Sequence, residues 1–180
     1  MIYVFFGQGF EEIEAVTPVD LLRRAELPVK TVGVGGKEIT GAHGITVMCD
    51  LTEEEASPEG LDMIVLPGGM PGTLSLEHSE TVQAFIDFCA ENGKWIAAIC
   101  AAPSILGHKG LLAGRFATCY PGFEDQLAGA RIQEDPVCVD GKFVTGKGPG
   151  AAVEFSLKLV ELLVSPKRAE FLKGSLQCRG

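Results

Sequence analysis

Residues 95–106 read Trp–Ile–Ala–Ala–Ile–Cys–Ala–Ala–Pro–Ser–Ile–Leu, and no other stretch constrains the fold as much. The apolar run Trp95–Ile99 stops abruptly at Cys100. Ala101, Ala102 and Pro103 follow, and apolar residues then return. A short run with no polar alternation fits a strand buried on both faces. The stretch therefore predicts a buried strand, a tight turn and an immediate helix, with Cys100 at the joint. A helix start presents unpaired N–H groups and a positive dipole end. A cysteine there is expected to be held as thiolate, its reactive form. A strand-end cysteine that only packs is the alternative this stretch alone leaves open.

The same grammar recurs along the chain. Ile2–Phe6 is a continuous apolar run bounded by Gly7 and Gly9, and reads as a buried strand. Residues 11–25 carry Ile13, Val16 and Leu21 or Leu22 at helical spacing, with acids at the start and Arg23 and Arg24 at the end. Pro18 lies inside that pattern and is expected to kink or split the helix. Val29–Val34 is a second strand, and Ile39–Thr40 and Ile45–Met48 flank Gly41–Ala–His–Gly44 as a small hairpin or two edge strands. Residues 50–60 read as a polar loop with one short helical turn at most. Met63–Leu66 is a third buried strand ending in Pro67–Gly–Gly–Met–Pro–Gly72, and a helix is predicted over His78–Asn92, capped by Gly93.

Beyond the Cys100 joint, Ala117–Tyr120 reads as a short strand and Pro121–Gly129 as a loop or short helix. Val137–Val139 and Phe143–Thr145 flank Asp140–Gly141, a hairpin signal. Gly146–Lys–Gly–Pro–Gly150 leads into a helix over about 151–164, and Ser165–Pro166 opens a last one to about Lys173. Strands alternating with helices predict an α/β fold with a mostly parallel sheet. In such sheets ligands bind beyond the carboxyl ends of the strands. Gly7–Gly9, Gly68–Gly69, Cys100 and Gly146–Gly150 all fall at predicted strand ends, so they are expected to converge on one site.

The totals bound what that site serves. A length of 180 residues suits one domain spanning 1–180. Hydrophobic residues make up 46% and charged residues 22%, as in ordinary globular chains. A net charge of −9 argues against a surface that tracks nucleic-acid phosphates. No apolar run is long enough to cross a membrane, and the first residues lack the pattern of a secretory signal, so a cytoplasmic protein is expected. The six cysteines form no C-x-x-C pair, which predicts reduced thiols and no metal site of familiar spacing.

A cysteine nucleophile needs a partner to hold or remove its proton. His108 lies eight residues past Cys100, about 12 Å along a helix, too far to touch it. His78 is expected to open a helix. His43, at the hairpin tip, is the histidine that could reach over the site. Glu11 and Glu12 suit a first helical turn by dipole alone. Glu14 sits among Ile13, Ala15 and Val16 in a stretch that should face the sheet. Burial raises a carboxyl's pKa, so Glu14 is expected to keep a proton it can donate or shuttle. Backbone N–H groups of Gly68, Gly69 and Ala101 are candidate oxyanion donors. Gly146–Gly150 has neither the P-loop nor the dinucleotide spacing.

Four separated motifs now point to one family: Gly9–Phe–Glu–Glu–Ile–Glu–Ala–Val16 with Pro18–Val–Asp20, Val65–Leu–Pro–Gly–Gly69, Ala97–Ala–Ile–Cys–Ala–Ala–Pro103, and Gly148–Pro–Gly150. Together they resemble the ThiJ/PfpI superfamily, in the branch of the human Parkinson-disease protein deglycase and bacterial YajL. The resemblance implies a flavodoxin-like three-layer sandwich and a homodimer. It implies that Cys100 is the nucleophile on a strained elbow and Glu14 its protonated partner, with Gly68, Gly69 and Ala101 as backbone donors. It implies cofactor-independent glyoxalase III activity on a small 2-oxoaldehyde such as methylglyoxal or glyoxal, repair of early glycation adducts, and oxidative-stress sensing or chaperone activity through Cys100 oxidation. No metal, cofactor, nucleic acid or membrane is expected.

Two departures from the family pattern stand out. Ala101 replaces the histidine that follows the elbow cysteine in the peptidase and amidotransferase branches, which weakens an amidase or peptidase reading. Tyr120 stands where the Parkinson branch carries a histidine. A tyrosine can contact substrate, but with a pKa near 10 it is a poor base at neutral pH.

Overall fold

The computed structural model describes residues 1–178. In chain order the strands are β1 (Ile2–Phe6), β2 (Val29–Gly33), β3 (Glu38–Thr40), β4 (Thr46–Met48), β5 (Leu51–Thr52), β6 (Met63–Leu66), β7 (Trp95–Ile99), β8 (Phe116–Ala117), β9 (Arg131–Ile132), β10 (Val137–Asp140) and β11 (Phe143–Gly146). The helices are α1 (Glu12–Arg24), α2 (Gly72–His78), α3 (Glu80–Glu91), α4 (Pro103–His108), α5 (Ala152–Leu163) and α6 (Pro166–Ser175). Seven strands form one sheet in the order β10-β11-β7-β6-β1-β2-β5, parallel except for the β10–β11 hairpin. Its centre, β2-β1-β6-β7-β11, has the flavodoxin-like order of a doubly wound sheet.

Side-chain alternation divides the core. Ile2, Val4 and Phe6 of β1 join Met63, Val65, Ala97 and Ile99 on the face covered by α1, α5 and α6. Tyr3 and Phe5 join Ile64, Leu66, Ile96 and Ala98 on the face covered by α2, α3 and α4. The result is the expected three-layer sandwich. Both faces are covered, which is why these strands read as unbroken apolar runs.

Several local expectations change. Pro18 does not split α1, which runs unbroken over Glu12–Arg24. The proline removes only the N–H that would serve the Glu14 carbonyl four residues earlier, while Ala15, Val19 and Leu22 still bury the helix face. The region after Gly72 is helical, so His78 closes α2 instead of opening α3. The break lies at Ser79, whose extended backbone and side-chain bond to the Val82 N–H (3.1 Å) cap α3. The predicted strand over Ala117–Tyr120 shrinks to β8, which pairs with β9 in a small separate sheet. The expected small hairpin is present as antiparallel β3–β4. All six cysteines are free thiols, and among the described residues no helix is long and apolar enough to cross a membrane.

Parallel register brings the strand ends level. Ile99 pairs with Gly146, and Leu66 with Ala98. Cys100 and the Pro67–Gly69 loop therefore leave the sheet side by side. The β1/β6 pair at its middle is the topological switch point, where doubly wound sheets open a crevice.

Candidate active site

Cys100 sits one residue past β7 with φ +66°, a left-handed conformation that costs a non-glycine residue about 1–2 kcal/mol. The surroundings hold it there. Its N–H donates to the Gly146 carbonyl (2.9 Å), and its carbonyl accepts from the Tyr120 N–H (2.8 Å). The residue is 9% exposed. This is the predicted elbow, bonded on both sides to neighbouring segments.

Glu14 reaches the same point from α1 and is fully buried. One oxygen, Oε2, accepts the Gly68 N–H at 3.0 Å. The other, Oε1, has no hydrogen-bonding nitrogen or oxygen beside it. The carboxyl neighbours the Cys100 thiol. Burial raises the Glu14 pKa to about 7, against the bonds to Cys100 and Gly68, and the Glu11 charge pushes it the same way. At neutral pH a substantial fraction of Glu14 holds its proton.

The sulfur differs from the sequence expectation. Burial pushes the Cys100 thiol up, and a charged Glu14 adds to that, while the Ala101 and Gly69 N–H groups pull it down. The helix dipole is the wrong source of activation. α4 begins three residues later and spans only six residues. The Ala101 and Gly69 N–H groups are the influences that favour thiolate here, and burial together with Glu14 outweighs them, so the expected ready thiolate gives way to a thiol held neutral.

Glycine is required at the loop facing the elbow. A Cβ on Gly68 would lie 2.7 Å from both Cys100 Cβ and Glu14 Oε2, and Gly69 has φ +92°. Because the Gly68 N–H is occupied by Glu14, the donors left facing the sulfur are those of Gly69 and Ala101.

His43 occupies the hairpin tip as expected, and its ring is committed elsewhere. Nδ1 lies 2.8 Å from Glu12 Oε2 and 3.6 Å from a Glu11 carboxylate oxygen. The His43 N–H also bonds Glu12 Oε1 at 2.7 Å. Burial pushes the Glu12 carboxyl up, but the His43 ring and the His43 and Ile45 N–H groups outweigh it and hold it below its usual value. His43 is raised by the Glu12 bond and then by the Glu11 charge. Glu11, Glu12 and His43 are the one cluster of metal-type donors among the described residues. Both Glu12 oxygens and the His43 ring are already spent on fastening the hairpin to α1. Sequence reading missed this role of Glu12, because its partners lie 31 and 33 residues away.

Tyr120 is 47% exposed and lines an open pocket of about 330 Å³ with Pro121, Pro136 and the Lys147–Gly150 segment. His108 lies on the surface against Glu77 (2.5 Å).

Comparison with known proteins identifies the fold and the family. The solved structure of Toxoplasma gondii DJ-1, oxidized, superposes with a TM-score of 0.93 at 38% identity, covering 97% of this chain and 96% of that one. Protein DJ-1 homolog B of Arabidopsis thaliana is 38% identical over 96% of the chain, which spans only 40% of the plant protein. The glutathione-independent glyoxalase DJR-1.2 of Caenorhabditis elegans is 32% identical, with 90% of this chain and 87% of that protein covered. The DJ-1/PfpI family profile matches residues 1–162. By profile, identity and fold, the chain belongs to the DJ-1/PfpI family.

Proposed function

We propose that this chain is a cofactor-independent glyoxalase III and deglycase-type enzyme that acts on methylglyoxal, glyoxal or early glycation adducts. The observation that carries the reading is the buried Glu14 carboxyl beside a thiol on a strained, solvent-edge elbow. A similar protein that bears the name glutathione-independent glyoxalase supports it.

The chemistry balances with these two side chains and water. The Cys100 sulfur adds to the aldehyde carbon, and the thiol proton ends on the new hydroxyl, giving a hemithioacetal. Gly69 and Ala101 N–H groups stabilise the oxyanion as it develops. Glu14, as carboxylate, removes the proton from the former aldehyde carbon and returns one to the adjacent carbonyl carbon. The net shift gives a 2-hydroxy thioester. Water then cleaves the C–S bond, releasing lactate or glycolate and restoring the thiol. A pKa near 7 suits a group that must both accept and donate.

Purified protein is incubated with methylglyoxal and no added thiol, and lactate is measured. Lactate well above the Cys100→Ala control is expected. Equal lactate from both proteins contradicts the enzymatic reading.

A second reading is an oxidative-stress sensor or chaperone. It is favoured by the buried Glu14 carboxyl, which neighbours the thiol and keeps one oxygen without a hydrogen-bond partner, so that when protonated it can donate to a sulfinate oxygen. Mild peroxide should add two oxygens to Cys100 alone, read by intact mass and peptide mapping. Oxidation scattered over all six cysteines contradicts it. A homodimer remains part of the proposal, supported by the exposed apolar side chains Ile13 and Val16 on α1 and Val153 on α5, and a cytoplasmic location is proposed with it.

A further inference from the structure

At the end of the sheet opposite Cys100 lies an open pocket of about 450 Å³. Trp95 starts β7 and Cys100 follows its last residue, so the two stand about 16 Å apart along the strand. Leu27, Trp95, Leu162 and Leu163 line the pocket, and each is a half-buried edge of the core on the α1 and α5 face. The backbone at this end is already paired. The Ile2 N–H donates to the Pro28 carbonyl (2.9 Å), the Trp95 N–H to that of Asp62 (3.0 Å) and the Ile96 N–H to that of Lys142 (2.9 Å). Polar recognition here therefore falls to side chains. Lys94 and Lys142 are the cations of the wall, and Asp62 is its one carboxylate. Asp62 is spent: Oδ2 accepts from the Met1 amino group (2.7 Å), and Oδ1 lies 4.0 Å from Lys94 Nζ. Lys142 Nζ lies 4.1 Å from the Trp95 ring centroid and forms no ion pair among the described residues. The carbonyl end of α5, at Leu163, adds about half a negative charge. The wall stays net positive in a chain whose net charge is −9.

These features ask for a ligand with two parts. The volume suits a small molecule, and the leucine walls suit a hydrocarbon chain. An ammonium with no carboxylate of its own suits a single negative charge. We infer that this pocket binds a small carboxylate with an aliphatic tail, the tail against Leu27, Leu162 and Leu163 and the carboxylate on Lys142. Lys94 stands in the same wall, shared with Asp62. A polyanion such as a nucleotide fits less well, because Asp62 and the α5 carbonyl end oppose further negative charge. The site is separate from Cys100 and does not depend on the glyoxalase reading.

Octanoate, kept below the concentrations at which it forms micelles, is titrated into the wild-type protein by calorimetry. The indole N–H signal of Trp95, the chain's one tryptophan, is followed in parallel by nitrogen-15 NMR. Saturable binding with a matching shift of that signal is expected. Hexanoate should bind about 3- to 10-fold more weakly, for two fewer CH₂ groups partly buried. Lys142 is exposed in a hairpin turn, so it can be changed without touching the core. Lys142→Gln should weaken octanoate about 3- to 10-fold. Lys142→Glu should abolish octanoate binding and strengthen that of octylamine, an exchange that mere loss of the Lys142–Trp95 contact would not produce. Cys100→Ala should bind octanoate as the wild type does. The absence of saturable binding, binding that leaves the Trp95 signal unmoved, or equal binding of octanoate by the wild type and Lys142→Glu would overturn the inference.

Discussion

Glu12 and Glu14 stand two residues apart on one helix, both buried, and they end in opposite chemical states. Glu12 is 8% exposed, and its two oxygens accept the His43 ring and backbone N–H groups from the hairpin. Its carboxyl is held below the usual range. Glu14 is 0% exposed, accepts a single backbone N–H, and has one oxygen facing no nitrogen or oxygen partner. Its pKa rises to about 7. Burial raises both, so the number of donors decides the outcome. One carboxyl became a structural clamp and the other a group that can carry a proton.

The comparison breaks first at catalysis. Glu14→Gln keeps the size and the Gly68 bond but cannot take a proton. Its kcat on methylglyoxal should fall about 100- to 10,000-fold, whereas Glu12→Gln should lose far less. A larger loss from Glu12→Gln in a steady-state assay would reverse the two roles.

Stability should show the same contrast through pH. Because the folded Glu14 pKa lies above the unfolded 4.5, its contribution is fully present below pH 4.5. It is lost as pH rises through about 7. Over that window the wild type should lose on the order of 3 kcal/mol relative to Glu14→Gln, as read by urea unfolding at stepped pH. Parallel pH profiles for the two proteins would remove the burial argument.

Glu12 has the opposite sign. Its folded pKa is depressed, so its contribution is present above 4.5 and lost as pH falls through the folded value. Glu12→Ala should cost about 2 kcal/mol at pH 7, the worth of hydrogen bonds to a charged acceptor. The deficit should shrink in acid. His43→Ala is the smallest change. The ring is mostly exposed, so the urea midpoint should move less than in Glu12→Ala and the rate should stay within about twofold.

How much of this was legible varied with the range of the interactions. Ile2–Phe6, Met63–Leu66 and Trp95–Ile99 were plain because strands buried on two faces need no polar alternation. The convergence of Gly68 and Cys100 followed from parallel topology, and the Cys100 elbow from an apolar run ending in small residues. Glu14 stood out as an acid among apolar neighbours. What was hidden is long-range. Nothing near Glu12 announces that a hairpin 31 residues on will fold over it. The pairing of β8 with β9, two residues each, has too little pattern to detect. The split expected at Pro18 does not occur, because a helix packed along its length tolerates one lost hydrogen bond. The helix-dipole expectation for Cys100 failed because the length of α4 and the depth of the sulfur are tertiary facts.

The central claim is that Glu14 keeps a proton near neutral pH beside the Cys100 sulfur. Carbon-13 NMR of the protein labelled at glutamate Cδ, with Glu14→Gln to assign the signal, measures that proton directly. The account predicts a Glu14 carboxyl that titrates with a midpoint about 7. A midpoint at or below the ordinary 4.5 would contradict it.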